Sequence, residues 1–149
     1  MAVTEQYRHA AEADCLRTII TFYRRLDASD YAGVLALWHD DGTWVRQRLF
    51  AKHEFMESLK LRSPNAVVFH VVSNAMFEIE KGRARFSCYV TSIVGDTGSP
   101  PQGPIPPNAM RLYLCTGELV EQDGKWLMFH YAPGKPRLEL LGTGVPSRG

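Results

Sequence analysis

Cys15-Leu16-Arg17-Thr18-Ile19-Ile20-Thr21-Phe22-Tyr23-Arg24-Arg25-Leu26-Asp27 has the pattern of an amphipathic helix in all but its last residue. At 100° per residue, Cys15, Leu16, Ile19, Ile20, Phe22, Tyr23 and Leu26 fall on one side. Arg17, Thr18, Thr21, Arg24 and Arg25 fall on the other. Asp27 breaks the partition: it lies one helical turn after Tyr23 and projects from the apolar stripe. Burying an ionised carboxylate without partners is costly. Two readings of Asp27 are therefore open: a frayed helix end that caps the next segment, or a carboxylate kept for hydrogen bonding or chemistry.

The remaining elements are placed outward from this helix. It starts near Thr4 or Ala10, and Asp30 is placed to cap a second, shorter helix through Tyr31, Val34, Leu35 and Leu37. His39-Asp40-Asp41-Gly42 has the composition of a turn. Thr43 to Leu49 alternates as a strand, with Trp44, Arg46 and Arg48 on one face and Val45 and Leu49 on the other. Lys52 to Leu61 reads as a third helix with Phe55, Leu59 and Met56 inward, ended at Ser63-Pro64-Asn65.

The second half reads as β structure. Ala66 to Glu80 is a long strand or a bulged pair of strands, turned at Glu80-Lys81-Gly82-Arg83 into a strand from Arg83 to Val94. The segment from Gly95 to Asn108 holds five prolines and three glycines, which predicts a long irregular loop, either a pocket rim, an oligomer contact or a mobile segment. Ala109 to Gln122 and Trp126 to Ala132 are strands joined by the tight turn Gln122-Asp123-Gly124-Lys125. The tail from Pro133 carries an apolar patch at Leu138, Leu140 and Leu141, suited to docking on the body or on a neighbour. Three helices followed by an antiparallel sheet define an α+β fold: a cone-shaped curved sheet with N-terminal helices over one face, enclosing a pocket. All 149 residues are expected in one domain, with a core of about 10–132 and a tail of 133–149.

Bulk properties exclude several classes. A formal net charge of +1 supplies no basic field, so neither nucleic acid nor a charged membrane surface is an expected partner. No apolar run approaches the roughly 20 residues of a membrane span, and the N-terminus is too polar for a signal peptide. Cys15, Cys88 and Cys115 are an odd, widely spaced set, read as small buried hydrophobes of a cytoplasmic protein. His39, Asp40 and Asp41 lack a third partner at ligand spacing, so no metal is expected. Hydrolase, phosphate-loop and dinucleotide motifs are absent.

His70 lies in Val67-Val68-Phe69-His70-Val71-Val72, and alternation puts it on one face with Val68, Val72, Asn74 and Met76. Alone, a histidine among valines reads as structural. If Asp27 faces the same cavity, its carboxylate accepts from one imidazole nitrogen, fixes the tautomer and makes the other nitrogen a general base. Tyr23, a turn before Asp27, is either a core aromatic or a phenol that donates to a developing oxyanion. Arg46 and Trp44 are candidates for contact with an anionic or carbonyl oxygen. Asn74, Tyr89, Tyr113 and His130 complete the candidate lining, with strand parity deciding among them.

Three stretches carry a resemblance: FYRRLDASDYAGVLALWHDDGTW, VVFHVVSNAMFEI and RLYLCTGELVEQDGKWLMF, spanning roughly Leu16 to Phe129. Together they resemble the SnoaL-like branch of the nuclear transport factor two-like superfamily. Within it they are most similar to scytalone dehydratase, bile acid 7α-dehydratase and hexachlorocyclohexane dehydrochlorinase. The resemblance implies a cone-shaped α+β barrel, no cofactor, and a homo-oligomer, trimer or dimer. It also implies a pair in which His70 takes a proton and Asp27 orients it, with Tyr23 on the first helix. Thr91 to Ile93, where scytalone dehydratase carries a second histidine, has none, and its small polar pair falls near Tyr113 and Cys115.

The expected function is a cofactor-independent lyase of the dehydratase type, acting on a small hydrophobic or polycyclic carbonyl or hydroxyl compound. Isomerisation or polyketide-type cyclisation uses the same residues. A non-catalytic ligand-binding module is the alternative from another class, and it predicts that Asp27 and His70 do not touch. Epoxide hydrolysis ranks low, because only Asp27 supplies a carboxylate on an apolar stripe.

Overall fold

Thr4 opens the first helix: its hydroxyl accepts a hydrogen bond from the Tyr7 amide at 3.1 Å, satisfying one of the orphan donors of the first turn. The helix, α1, runs Glu5–Asp27 and buries Ala11, Cys15, Ile19, Phe22, Tyr23 and Leu26; of the stripe read from the sequence, Leu16 is only partly buried and Ile20 is exposed. The computed structural model describes residues 2–46 and 48–142. Asp30 accepts from the Gly33 amide at 2.9 Å and starts the short helix α2, Tyr31–Leu35.

Among the described residues there are seven strands: β1 Trp38–Val45, β2 Leu49–Ala51, β3 Val67–Glu80, β4 Arg83–Gly95, β5 Ala109–Gln122, β6 Lys125–Ala132 and β7 Pro136–Leu141. A 3-10 turn, Lys52–Glu54, and the helix α3, Phe55–Leu59, join β2 to β3. The sheet order is β2-β1-β6-β5-β4-β3, with β7 beside the first half of β5. All pairings are antiparallel except β1 with β6. The sheet is curved and unclosed, and α1 lies across its inner face against β3 and β6.

The direction of α1 organises the inner face. At its start, the Tyr7 hydroxyl donates to Glu121 and accepts from the Gly82 amide, each at 2.9 Å, clasping two hairpins. Along its middle, Phe22 packs edge-on to Trp44 and Trp38, with ring centroids 5.4 and 6.0 Å away, and Phe55 closes on Trp38 at 4.5 Å. Edge-to-face aromatic packing adds stability beyond its buried area. The indole N–H groups of Trp38 and Trp44 are buried there with no acceptor among the described residues, a cost that this packing offsets. At the far end of α1, Asp27 meets β3.

Several sequence expectations need correction. His39 to Gly42 is not a turn but part of β1; Gly42 is needed because a Cβ would stand 2.9 Å from the Trp38 ring. The strand expected to continue to Leu49 ends at Val45. The Arg46 amide then bonds to the Arg48 carbonyl at 3.0 Å, turning the chain into β2, with Gln47 outside the described residues. The third helix is shorter than expected, and Met56 is half exposed where Phe55 and Leu59 are buried.

The bulge in β3 matters most. Register shifts between Ser73 and Met76, with Asn74 at φ 52°, so the inward set changes from Val68, His70 and Val72 to Ala75, Phe77 and Ile79. Asn74 and Met76 therefore lie on the outer face, opposite His70. The tail, expected only to dock, adds β7: Leu138 pairs with Leu112 and Leu140 with Met110. Phe69, Val71, Tyr89, Leu138 and Leu140 leave the outer face apolar and exposed. The three cysteines are free and buried, and among the described residues no helix is long and apolar enough to cross a membrane.

Candidate active site

The site begins with an edge-strand problem. β3 is the last strand of the sheet, so alternate amides on its open side need acceptors. The amide of His70 is one of them, and it donates to Asp27 Oδ2 at 2.9 Å. The imidazole Nδ1 of the same residue donates to Asp27 Oδ1 at 2.6 Å. One carboxylate thus satisfies the backbone and the side chain of one histidine. Both side chains are nearly buried, 16% exposed for His70 and 11% for Asp27. An ionised carboxylate can only accept, so Nδ1 carries the proton, and in the neutral ring the lone pair is then on Nε2.

Helix α1 holds Asp27 in place from behind. The Ala28 amide bonds to the Arg24 carbonyl at 3.1 Å, and Arg62 donates through Nη1 to the Leu26 carbonyl at 2.6 Å. Arg62 therefore caps the helix end with a cation, the sign that the exposed carbonyls favour. The Tyr23 ring covers the imidazole, with centroids 4.6 Å apart, and restricts its rotation.

Tyr23 has a partner that the sequence pattern does not reveal. Its hydroxyl is hydrogen-bonded to that of Tyr131, which is fully buried on β6. Burial pushes both phenols well above their ordinary range, so both stay protonated donors. The inward run Trp126, Met128, Tyr131 skips a residue at a bulge, and that skip hides Tyr131 from simple alternation.

The other candidates divide. Tyr113 lies on the inner face beside the Ser92 hydroxyl, and burial raises its pKa. Arg46 stands over the Trp44 ring at 5.4 Å and donates to the Ser58 carbonyl at 3.1 Å; burial and the nearby Arg62 charge lower its pKa. Trp44 itself belongs to the aromatic core beside Phe22. Asn74, Tyr89 and His130 do not join the site. Tyr89 pairs with Ser73 on the outer face, and His130 points outward to Thr43 Oγ1 at 2.7 Å, along an outer groove of about 520 Å³.

The proline-rich loop of residues 96–108 borders this end of the sheet. Asp96 accepts from the Gly98 amide at 2.8 Å, and this bond, with the Ser63 hydroxyl nearby, holds its carboxyl below the ordinary range. Ser92 and Arg111, on β4 and β5, also face inward in the row of His70, and neither stands out in sequence as more than an alternating strand residue.

Residues 8–132 match the SnoaL-like domain, and the chain belongs to that family. Among solved structures, a candidate scytalone dehydratase from Novosphingobium aromaticivorans superposes with a TM-score of 0.80 at 13% identity, over 97% of this chain and 100% of the other. A hexachlorocyclohexane dehydrochlorinase of type 3 from Novosphingobium barchaimii gives 0.77 at 13% identity, over 98% and 99%. A Nostoc punctiforme protein of unknown function with a cystatin-like fold gives 0.67 at 16% identity, over 88% and 92%. At these identities the likeness is one of fold. Among functionally curated proteins none matches the chain.

Proposed function

We propose that the protein is a cofactor-independent lyase in which His70 Nε2 removes a proton from carbon next to a carbonyl or other activating group. Asp27 holds the imidazole in the required tautomer and stabilises the imidazolium that forms. Tyr23, in its hydroxyl pair with Tyr131, donates to the oxygen that gains negative charge or departs. In a dehydration the hydroxyl on the neighbouring carbon departs as water, taking the proton that His70 removed; in an isomerisation that proton returns to another carbon. The observation that carries the reading is the 2.6 Å contact between His70 Nδ1 and Asp27 Oδ1, with the Asp27 carboxylate also on the His70 amide. A non-catalytic binding module predicts that these two residues do not touch, so the contact weighs against it. The dehydratase and dehydrochlorinase named among the fold neighbours support elimination as the outcome.

Hydrogen exchange tests this without the natural substrate. A panel of cyclic ketones and hydroxy-ketones in deuterated buffer is followed by NMR for loss of the α-proton signal. The wild type accelerates exchange of at least one compound and His70→Ala does not; equal exchange by both proteins contradicts the proposal. We also propose that the exposed apolar outer face carries a homo-oligomer contact, which light scattering checks directly.

A further inference from the structure

Three cross-strand Arg–Glu pairs brace the sheet, and one differs from the others. Arg85–Glu78 and Arg83–Glu118 lie on the outer face, with arginines 60% and 51% exposed. Arg111–Glu139 is turned inward, its arginine side chain 12% exposed and its Nε 2.6 Å from Glu139 Oε2. Register fixes where it points. His70 pairs with Ser92, Ser92 with Arg111 and Arg111 with Glu139, so the four form one polar row across the inner face. The row on one side is Val68, Val94, Ala109 and Leu141. The other contains Val72, Val90 and Tyr113. Neighbouring strands stand about 4.8 Å apart, which puts Arg111 roughly 10 Å along the row from His70.

A nearly buried guanidinium is a poor way to gain stability, since a well-packed apolar pair does as well or better. Glu139 engages only the Nε edge of Arg111. Among the described residues the two Nη nitrogens have no protein acceptor, so the face suited to gripping a carboxylate with two parallel bonds is open.

We infer that Arg111, oriented by Glu139, grips a carboxylate or equivalent acidic oxygen of the substrate, which is therefore an organic acid reaching from Arg111 to His70. This rests on the reading of Asp27 and His70 as the proton-transfer pair. Ser92, buried between them, lies where the middle of such a substrate passes.

The test measures binding, separately from turnover. Benzoate, cinnamate and 1-naphthoate are titrated calorimetrically against their methyl esters into wild type, Arg111→Gln, Arg111→Lys, Glu139→Gln and Asp27→Asn. A hydrogen-bonded charge pair predicts that at least one acid binds wild type about 10- to 100-fold more tightly than its ester. The preference disappears in Arg111→Gln, is partly kept in Arg111→Lys, is kept at least in part in Glu139→Gln, whose amide oxygen still accepts from Arg111 Nε, and persists in Asp27→Asn. Glu139→Gln, which loses the ion pair but keeps the guanidinium, separates recognition from bracing of the sheet. The inference is overturned if no acid outbinds its ester, or if folded Arg111→Lys and Arg111→Gln keep the wild-type ratio. If acids bind through Arg111 but His70→Ala leaves proton exchange unchanged, the inference stands and the proposed lyase falls. Exchange on neutral ketones that depends on His70, without acid preference, overturns the inference and leaves the lyase in place.

Discussion

The two ends of α1 solve the same problem with different chemistry. At its start, Tyr7 reaches the sheet with a hydroxyl that bonds to the Gly82 amide and to Glu121. At its end, Asp27 reaches the sheet with a carboxylate that bonds to the His70 amide and imidazole. Both fasten helix to sheet. The Tyr7 end is complete once the hairpins are clasped, because its hydroxyl is used as both donor and acceptor. The Asp27 end leaves one group over: the Nε2 lone pair of His70, in a nearly buried position. A contact that leaves a reactive atom unsatisfied and oriented is what separates a candidate site from a brace.

The largest expected consequence lies at the Asp27 end. His70→Ala or Asp27→Asn lowers turnover of a substrate found by the exchange screen by about two to four orders of magnitude. Circular dichroism and melting should show both variants folded. Phe22→Ala, between the two ends, acts oppositely: it removes the centre of the aromatic cluster and lowers stability by about 3–5 kcal/mol in urea unfolding. Raising the pH produces a smaller, graded loss. Burial pushes the Cys15 thiol from 9.0 up to about 12, so the unfolded chain releases a proton that the folded chain retains. The stability this group contributes is complete below pH 9 and is lost as pH rises toward 12. Urea midpoints measured over that range should fall less steeply in Cys15→Ala. Tyr7→Phe is the mildest, lowering stability by about 0.5–1.5 kcal/mol and leaving turnover unchanged, as expected of a brace.

Legibility in the sequence divides the same way. Helix α1 and its odd carboxylate can be read because a period of 3.6 residues is local, and Asp27 violates it visibly. His70 can be paired with it because two polar groups on facing apolar surfaces satisfy each other best by meeting. Parity fails wherever a bulge intervenes. The left-handed turn at Asn74 moves Asn74 and Met76 off the His70 face, and the register shift in β6 brings Tyr131 inward while His130 goes out. Pro136–Leu141 does not read as a strand because Pro136 and the nearby Gly134 have the composition of a tail. Its pairing depends on β5, which no local pattern reveals. Arg111 is hidden with that strand: without Glu139 opposite, it is one more alternating arginine.

Which nitrogen of His70 is bare decides between a base and a brace. Nitrogen-15 NMR of the histidine side chains near neutral pH reads this without a substrate. Proton on Nδ1 and a free Nε2, lost or scrambled in Asp27→Asn, is the result predicted by the 2.6 Å contact to Asp27. A proton on Nε2 with Nδ1 bare in the wild type, unchanged by Asp27→Asn, would contradict it.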